Sequence, residues 1–509
     1  MKIKIKKNIF NFASAAIILV LVLCAFVSCG ENSGNGAENQ NGDPQSPGQN
    51  DENSPQGESQ DAAGERIYPN IPDSLDFSGY EFSILTFGVN GSDQWENIDL
   101  TSEEETGDTV GDAVYRRNKN IEERYNIALN EIHVYNEVFG NSLKKEIGAG
   151  THEYDLISPR LIDSANFMQS GYFMDLFKAP NIDLAKPWYS QQGIQEMSIG
   201  HKVFIVLSDT LLSGNDATSI TIFNKQLIKD SGLEDPYALV KNGTWTVGKL
   251  YEMAKATAKD LDGDGEMTPE ADRFGYITWN DAMVSYLHSG GQRLIAKDED
   301  DLPVLAFNTE KTYAVMEKAM DLIYDENVTG NVQKPEFSGV SFEDIFISDR
   351  AAFGWCRLYM IPKLRAMDTD FGILPIPKIY ESTEGYPSTV NVHHACALAI
   401  PITTDEMDRT TIVMEALAAE SKYTLQPAYY EISLKTKYSR DDESSEMLDL
   451  ILENRVMDIG DVYNFASFGD GFYQLALKND RNLASFYEKN ESKVNKEIEK
   501  MIQKFEALD

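Results

Sequence analysis

Basic side chains are scarce in this sequence. Its 509 residues include 45 lysines and arginines against 82 aspartates and glutamates, which gives a formal net charge of −37 at pH 7. A surface of this sign repels polyanions and lacks the electrostatic attraction on which nucleic-acid binding depends. The composition therefore predicts that nucleic acid is not a partner.

The sequence also lacks the common catalytic motifs. None of the six histidines falls in an H-E-x-x-H spacing, and there is no G-x-S-x-G turn and no P-loop. Cys356 with His393 or His394 could form a thiol–imidazole pair, although a small buried thiol is the alternative. A pair of carboxylates for glycoside hydrolysis is always available among 82 acids, and nothing singles one out. We therefore expect a protein that is not an enzyme.

Long apolar runs are absent except at the N-terminus. Four lysines precede an uncharged stretch from about Ala13 to Val27, which has the length and charge pattern of a secretory signal. The following "FVSC" resembles a bacterial lipobox, in which Cys29 would be the lipid-modified first residue of the mature protein. Phe26 departs from the lipobox pattern, so an uncleaved N-terminal anchor is the alternative. Both interpretations place the protein on the extracellular face of the cell membrane.

The next stretch has no basic and no large apolar residues. Residues 31–65 contain eight acids and no Val, Ile, Leu, Met or aromatic side chain, so they cannot bury enough apolar area to offset their ordering entropy. As a flexible coil of about 35 residues they would span roughly 30–35 Å. The sequence thus predicts a signal peptide at 1–28, a lipid-anchored disordered linker at 29–65 and a folded part at 66–509.

Cysteine is rare in the folded part, where Cys356 and Cys396 are the two present. An extracellular location permits a disulfide between them, but the spacing does not supply the geometry that a disulfide requires. Two buried thiols are the alternative.

The folded part alternates short apolar runs with amphipathic stretches, which is typical of an α/β protein. Strands are predicted at "YEFSILTFG", "ALNEIHV", "YDLISP" and "KVFIVLSDT", and strand-rich segments at "FGILPIPK" and "VNVHHACALAIP". Helices are predicted at "GDAVYRRNKNIEERYNI" and at "TWTVGKLYEMAKATAKD", where Thr246 is the expected N-cap. The last hundred residues are expected to be mostly helical. A chain of this length exceeds one hydrophobic core, so we expect at least two lobes.

Three stretches, in this order, carry a resemblance to a known family: "YDLISPRLIDSANFMQSGYFMDL", "ITIFNKQLIKDSGLEDPYALVKNGTWTVGKLYEMAKA" and "AAFGWCRLYMIPKLRAMDTDFGILPIPK". Together they resemble the extracellular solute-binding lipoproteins of ABC importers, in the carbohydrate-binding group called family 1. The resemblance implies a two-lobed, periplasmic-binding-protein-like α/β fold of type II with a hinge and an interlobe ligand cleft. By analogy, lobe 1 would hold about 80–207 and 388–425, and lobe 2 about 208–387 and 426–509.

The same resemblance implies a function. Such a protein, a monomer by expectation, captures a carbohydrate, here expected to be an oligosaccharide, and delivers it to the permease subunits of an ABC transporter. The acidic composition favours a neutral sugar over an anionic one. A secreted carbohydrate-active enzyme, or a receptor for peptides or other solutes on the same fold, are the alternatives.

Sugar sites combine flat aromatic rings with paired hydrogen-bonding side chains. The resemblance places Trp355 at the cleft, while Trp95 and Trp279 follow predicted strands; core packing is the alternative for each. The polar candidates lie at strand ends or on presumed crossings between lobes: Asp209, Arg160, Asp163, Arg357, His393 and His394. A strand-end cap for Asp209 and a surface ion pair for Arg160 and Asp163 are the alternatives. Because side chains alternate along a strand, we expect one of the two histidines to face the cleft.

The segment "DLDGDG" has the spacing of a calcium-binding loop. Asp260, Asp262 and Asp264 occupy loop positions one, three and five, and Glu266 offers its carbonyl at seven. Position twelve is an alanine, and the family resemblance favours Asp272, the next residue, as the closing acid. The sequence therefore predicts a structural calcium ion, and a merely acidic turn is the alternative.

Overall fold

The structure, a computed structural model, describes residues 66–88, 99–430 and 442–508, with the side chains of 136 and 137 excepted. Arg66–Asp509 forms one unit of the chain and Met1–Glu65 another. The predicted signal peptide, linker and lipid anchor at Cys29 lie outside the described residues, as does Trp95. Among the described helices, none combines the length and apolarity needed to cross a bilayer.

The described elements alternate between strands and helices along the chain. The strands are β1 Tyr80–Phe87, β2 Ile127–Val134, β3 Leu156–Ser158, β4 Ser219–Asn224, β5 Phe274–Thr278, β6 Ile295–Lys297, β7 Pro303–Leu305, β8 Thr329–Asn331, β9 Ala351–Arg357, β10 Phe371–Leu374, β11 Ser388–Thr389 and β12 Arg455–Val456. The helices are α1 Thr109–Tyr125, α2 Asn136–Ala149, α3 Leu161–Gln169, α4 Gln191–Met197, α5 Ser213–Asp216, α6 Lys225–Asp230, α7 Pro236–Lys241, α8 Val247–Thr257, α9 Ala282–Ser289, α10 Glu310–Ile323, α11 Phe342–Ile347, α12 Met407–Tyr423, α13 Leu425–Pro427, α14 Asp442–Glu453, α15 Ile459–Tyr463, α16 Phe468–Leu477 and α17 Leu483–Glu506. Short 3-10 helices occur at Pro335–Phe337, Leu358–Ala366 and Phe465–Ser467.

The first sheet consists of three parallel strands in the order β2-β1-β3. Thr86 of β1 pairs with His133 on one side and with Ser158 on the other, so the three carboxyl ends reach the same edge. Helix α1 leads into β2; the Asp108 side chain caps its first turn, and Asn126 ends it in a left-handed conformation. The loops that follow the three strands therefore lie together at one end of this sheet.

Two further segments extend the first sheet beside β3. Val206 bridges to Leu398, and Ile157 bridges to Ala399. The stretch "KVFIVLSDT", predicted to be a strand, is buried and extended but makes isolated bridges rather than a continuous ladder. The prediction of a regular strand is therefore wrong, because neighbouring segments pair with this stretch only at single residues.

The second sheet has five strands in the order β10-β4-β9-β5-β8. β9 is antiparallel to β4 and parallel to β5, and all seven of its residues are buried. Helix α8 covers this sheet, and Thr246 caps it by accepting a hydrogen bond from the Lys249 N–H at 3.2 Å, as predicted. Trp245 at its start is fully buried, and its Nε1 donates to the Pro375 carbonyl at 3.0 Å.

Three segments that cross between the sheets lie side by side. Thr218 bridges to Val390, and β11 pairs in parallel with β12. Beyond β11 the chain turns instead of continuing as a strand, because the Asn391 carbonyl accepts the Ala395 N–H at 3.0 Å. The strand expected at "VNVHHACALAIP" is thus broken at its centre, which corrects that prediction.

The two cysteines of the folded part are buried thiols. Cys356 lies on β9, and burial raises the pKa of its thiol well above the ordinary value. A thiol in this state supplies almost no thiolate at neutral pH, which argues against a role as nucleophile.

Candidate ligand site between the two sheets

Arg160 and Asp163 lie just beyond the carboxyl end of β3. Arg160 Nε donates to Asp163 Oδ2 at 2.7 Å, and the guanidinium carbon lies 4.3 Å from the centre of the Phe87 ring. Both side chains retain partial exposure. A planar cation is thus fixed between a ring and a carboxylate at the edge where the loops of the first sheet meet.

An aromatic cluster lies at the corresponding end of the second sheet. Trp279, directly after β5, stacks on Phe342 with ring centres 4.4 Å apart, and its ring centre is 6.1 Å from that of Trp355. Trp279 is half-buried, whereas Trp355 is only 1% exposed. Among the described residues, no hydrogen-bond partner reaches the buried Trp355 Nε1. The two predicted tryptophans are therefore in contact, with Trp279 the one that keeps accessible surface.

Arg357 links this cluster to a crossing segment. Its guanidinium lies 5.0 Å from the Trp355 ring centre and donates to Asp281 Oδ2, which also accepts the Asn391 Nδ2–H at 3.2 Å. The Arg357 side chain is 8% exposed and that of Asp281 16% exposed. A nearly buried ion pair thus joins the end of β9 to the start of α9. Through Asn391 it also contacts the segment that follows β11.

His393 lies among the charged groups of both sheets. Burial lowers the pKa of His393; Asp470 acts against this shift, Arg160 and Arg357 reinforce it, and Asp163 opposes it. The imidazole is therefore neutral at pH 7, with one ring nitrogen able to donate and the other to accept. His393, the pair Arg160–Asp163 and Arg357 therefore lie in one neighbourhood, and their predicted role in holding a ligand stays a prediction.

His394 has a different environment. It is 7% exposed and makes an edge contact with Tyr359, with ring centres 5.2 Å apart. Burial, with help from Arg357 and Lys363, lowers the pKa of His394 to about 3. The two histidines do differ in burial, but their positions in a turn, rather than strand alternation, produce the difference.

Asp470, which belongs to α16, was not among the residues predicted from the sequence. Asn464 Nδ2 donates to Asp470 Oδ2 at 2.7 Å, and Asn464 Oδ1 accepts the Asp470 N–H at 3.3 Å. The connection between them is strained, since Asn464, Ala466 and Ser467 all have positive φ values of 42°, 51° and 57°. A cluster of aromatic residues and glycines in "YNFASFGDGFY" is the one sequence signal that could have marked this segment.

Asp209, predicted as a ligand residue, lines a cavity. This cavity of about 70 Å³ is lined by Pro187, Tyr189, Ser190, Leu207, Ser208, Asp209, Leu211, Gly214, Asn215, Cys396, Gln426 and Arg455. Burial raises the pKa of Asp209 to about 6, against the opposing effect of Lys422 3.8 Å away. The electrostatic partners of Asp209 are Lys422 and Arg455, a different set from those of His393.

The three alternating aspartates of the acidic loop converge. Ligand oxygens of Asp260, Asp262 and Asp264 lie within 4.8 Å of one another. Asp260 accepts the Gly263 and Gly265 N–H groups at 2.6 and 2.9 Å, and Gly265 has a φ of 89° that suits glycine. This donor set of hard oxygens fits calcium.

Asp272 closes the same loop through hydrogen bonds. Its side chain is fully buried and accepts the Leu261 N–H and the Thr268 N–H, each at 2.8 Å. Glu266 is exposed and donates its N–H to Asp264. The structure therefore gives Asp272 a role in shaping the loop, while its predicted role as a calcium ligand stays a prediction.

The pKa of Asp461, next to the site, makes the free energy of unfolding depend on pH. Burial raises the pKa of Asp461 to about 8, Asp458 adds to the increase, and Tyr473 donates to its Oδ1 at 2.6 Å. Because this pKa lies above the unfolded value of about 3.9, the folded state holds the proton more tightly. The stabilisation is full below about pH 4 and is lost as the pH rises through about 8.

We expect Asp461 to contribute about 1–2 kcal/mol to the increase in the free energy of unfolding when the pH falls from 8.5 to 6.5. Asp216 and Glu415, whose pKa values burial raises to about 7, add to the same increase. Urea unfolding across this range measures the increase, and Asp461→Asn should reduce it by the Asp461 contribution. Below pH 6.5 the lowered pKa values of His393 and His394 act in the opposite direction, so the comparison stops there. Equal slopes in the variant and the parent protein would contradict the prediction.

Comparison with solved structures identifies the fold. An ABC substrate-binding protein from Listeria monocytogenes in complex with cycloalternan has a TM-score of 0.55 and 13% identity, over 83% of this chain and 99% of that one. A cyclo/maltodextrin-binding protein complexed with maltotetraose has a TM-score of 0.53 and 11% identity, over 85% and 98%. The maltose/maltodextrin-binding domain MalE from Bdellovibrio bacteriovorus bound to maltotriose has a TM-score of 0.51 and 14% identity, over 82% and 100%.

At these identities the likeness establishes the fold. The chain has the two-lobed α/β fold of periplasmic binding proteins, which confirms the predicted fold class. The solved structures named above are binding proteins. No family model and no curated protein sequence matches the chain.

Proposed function

We propose that this protein is the extracellular substrate-binding component of an ABC importer and that it captures a carbohydrate, specifically an oligosaccharide, between its lobes for delivery to the permease. The observation that supports the proposal is that Arg160 and Asp163 from one sheet and Arg357 from the other all act on the pKa of His393, while Asp281 pairs with Arg357. Trp279 adds an accessible ring beside them. The shared fold with sugar-binding proteins supports the same conclusion.

The chemistry of the site suits binding better than bond cleavage. Each arginine is held by a carboxylate, so the planar groups are oriented before a ligand arrives. Paired donors and acceptors match adjacent sugar hydroxyls, while a tryptophan face matches the apolar side of a pyranose ring. The neutral His393 can donate and accept at once. No covalent step is needed for this role.

Thermal unfolding of the full-length protein against neutral mono- and oligosaccharides tests the proposal. A ligand at about 100 times its dissociation constant should stabilise the fold by about 2.7 kcal/mol. Chromatography of the recovered sugar should show it unchanged. A cleaved sugar would favour a carbohydrate-active enzyme, and stabilisation by peptides but by no sugar would favour a receptor for other solutes.

We also propose that the mature protein is lipid-anchored through Cys29 at the outer face of the membrane. The lysine-flanked apolar stretch and the lipobox-like "FVSC" support this assignment. Mass spectrometry of the mature N-terminus tests it. Cys29→Ala should abolish the lipid mass and release the protein, whereas the matched variant Cys24→Ala should leave both unchanged; equal behaviour of the two variants would contradict the anchor.

We further propose that the loop at Asp260, Asp262 and Asp264 binds a structural calcium ion. The fit of three converging carboxylates supports it. Calcium at about 100 times its dissociation constant should add about 2.7 kcal/mol to the free energy of unfolding, measured by chemical denaturation with calcium and with chelator. The triple variant Asp260→Asn, Asp262→Asn, Asp264→Asn should lose this response.

A second acidic turn provides the control for the calcium experiment. Glu299 and Asp300 are exposed acids outside the loop, so the double variant Glu299→Gln, Asp300→Asn should keep the full calcium response. A parent protein whose stability is the same with calcium and with chelator would show that the loop is an acidic turn and no more.

A further inference from the structure

Three carboxylates share one hydrogen-bonding arrangement: Asp163 and Asp470 act on the pKa of His393, and Asp281 contacts Asn391, whose Oδ1 accepts the His393 N–H. One oxygen of each accepts from a planar side chain: Asp163 from Arg160 Nε at 2.7 Å, Asp281 from Asn391 Nδ2 at 3.2 Å, and Asp470 from Asn464 Nδ2 at 2.7 Å. Within the described part of the chain, the second oxygen of each has no hydrogen-bond partner. Each carboxylate is thus fixed in orientation and keeps one acceptor open.

Asp470 comes from α16, an element for which the sequence predicted no ligand residue. Helix α15 packs on α3 of the first sheet, with Tyr463 Oη 3.8 Å from Met168 Sδ, and α16 packs on α9 of the second sheet. The strained connection between α15 and α16 therefore lies where the two halves of the fold meet. Left-handed conformations at non-glycine residues cost about 1 kcal/mol or more each and tend to persist at functional sites.

Carboxylates outnumber guanidinium groups near His393, and this difference bears on the charge of the ligand. Three carboxylates face two guanidinium groups, and both guanidinium groups are already engaged by Asp163 and Asp281. The lowered pKa keeps His393 neutral. A ligand that brings a carboxylate or phosphate would have no unpaired cation to meet, and it would face open carboxylate oxygens. Hydroxyl groups, in contrast, can donate to all three.

We infer that Asp470 is a specificity-determining residue and that the three open carboxylate oxygens select a neutral, hydroxyl-rich ligand over its acidic counterpart. This inference rests on the proposed function of the same site. Asp470 acts by accepting a ligand hydroxyl at Oδ1, and Asn464 acts as a positioning residue that holds Oδ2.

Calorimetric titration of the full-length protein tests the inference. The probes are maltotetraose, cellotetraose, xylotetraose and mannotetraose, each paired with the version that carries a glucuronic acid residue. The neutral form of whichever sugar binds should bind at least about 10-fold more tightly than the acidic form. In Asp470→Asn, loss of the charged acceptor should weaken neutral-sugar binding about 5- to 20-fold and narrow the discrimination against the acidic form.

Asp408 provides a matched control. It is an exposed aspartate on α12 whose Oδ1 accepts the Asn181 Nδ2–H at 3.1 Å, an arrangement like that of Asp470 outside the site. Asp408→Asn should bind both sugar forms as the parent protein does. If Asp470→Asn behaves like Asp408→Asn, or if acidic and neutral forms bind equally, the inference is overturned while sugar binding stands. If no tetrasaccharide of either form binds the parent protein, the proposed function falls and the inference with it.

Discussion

Replacing Arg117 by methionine is expected to lower the free energy of unfolding by about 3–5 kcal/mol. The Arg117 side chain is fully buried in α1. Its Nη2 donates to the Asp99 and Leu100 carbonyls at 2.8 and 2.9 Å, and its Nη1 donates to the Thr210 carbonyl and to Ser421 Oγ, both at 3.2 Å. One guanidinium thus connects the loop before α1, the segment before α5 that contains Thr210, and helix α12.

Methionine keeps much of the volume but supplies no donor. Three buried carbonyl oxygens would lose a hydrogen bond, although the Leu100 carbonyl would keep the Asn118 Nδ2–H at 2.8 Å. Each buried acceptor left unsatisfied costs about 1–3 kcal/mol. The Asp99 carboxyl, whose pKa burial already raises to about 6, would also lose its nearest cation. Asp99 accepts the Leu212 N–H, so the start of the crossing would loosen as well.

Arg116 is the control on the same helix. Its side chain is 62% exposed and pairs with Glu105 at 2.6 Å. An exposed ion pair contributes about 0–1 kcal/mol, so Arg116→Met should change stability by less than about 1 kcal/mol. Urea unfolding of both variants measures the two losses of free energy. Equal losses in the two variants would show that the buried network around Arg117 contributes no more than a surface pair.

Local features of the fold could be predicted from the sequence, because they depend on neighbours along the chain. Thr246 caps α8 as expected, and "YEFSILTFG" forms β1 because its alternating side chains fit the two faces of a sheet. The turn at His393 could not be predicted. It depends on Asn391, whose Oδ1 accepts the His393 N–H at 3.0 Å in place of a strand partner.

The candidate site was predictable in part for the same reason. Arg160 is the N-cap residue of α3 and Asp163 lies in the first turn of that helix, so their contact is local in the chain. Asp281 and Arg357 are separated by 76 residues and meet only because β5 and β9 are adjacent and parallel. Asp470 reaches the site through a connection with left-handed residues, and no periodic pattern of apolar residues in the sequence predicts such a connection. Long-range pairing and irregular backbone are thus what the sequence alone could not supply.

Replacing Arg357 by leucine is expected to weaken ligand binding by at least about 100-fold, which corresponds to about 2.7 kcal/mol. The guanidinium lies over Trp355, pairs with Asp281 and acts on the His393 pKa. On the proposed function, it orients the acceptor of Asp281 and supplies donors to the ligand. Titration with the sugar identified by thermal unfolding measures the loss.

The variant also leaves Asp281 with Asn391 as its sole described hydrogen-bond partner. An uncompensated, nearly buried carboxylate destabilises the fold, so reduced affinity could follow from a weakened protein instead of a lost contact. The double variant Arg357→Leu, Asp281→Asn separates the two causes, because it removes the unpaired charge. It should recover most of the stability and should still bind the sugar weakly.

Arg365 supplies the surface control, since it is an exposed arginine on the segment that follows β9. Arg365→Leu should retain the affinity of the parent protein. Recovery of both stability and affinity in the double variant would contradict a direct role for Arg357 in holding the ligand. Recovery of stability alone would show that the lost affinity does not come from a weakened fold. The single variant Asp281→Asn then separates the contribution of the Arg357 guanidinium from that of the Asp281 carboxylate.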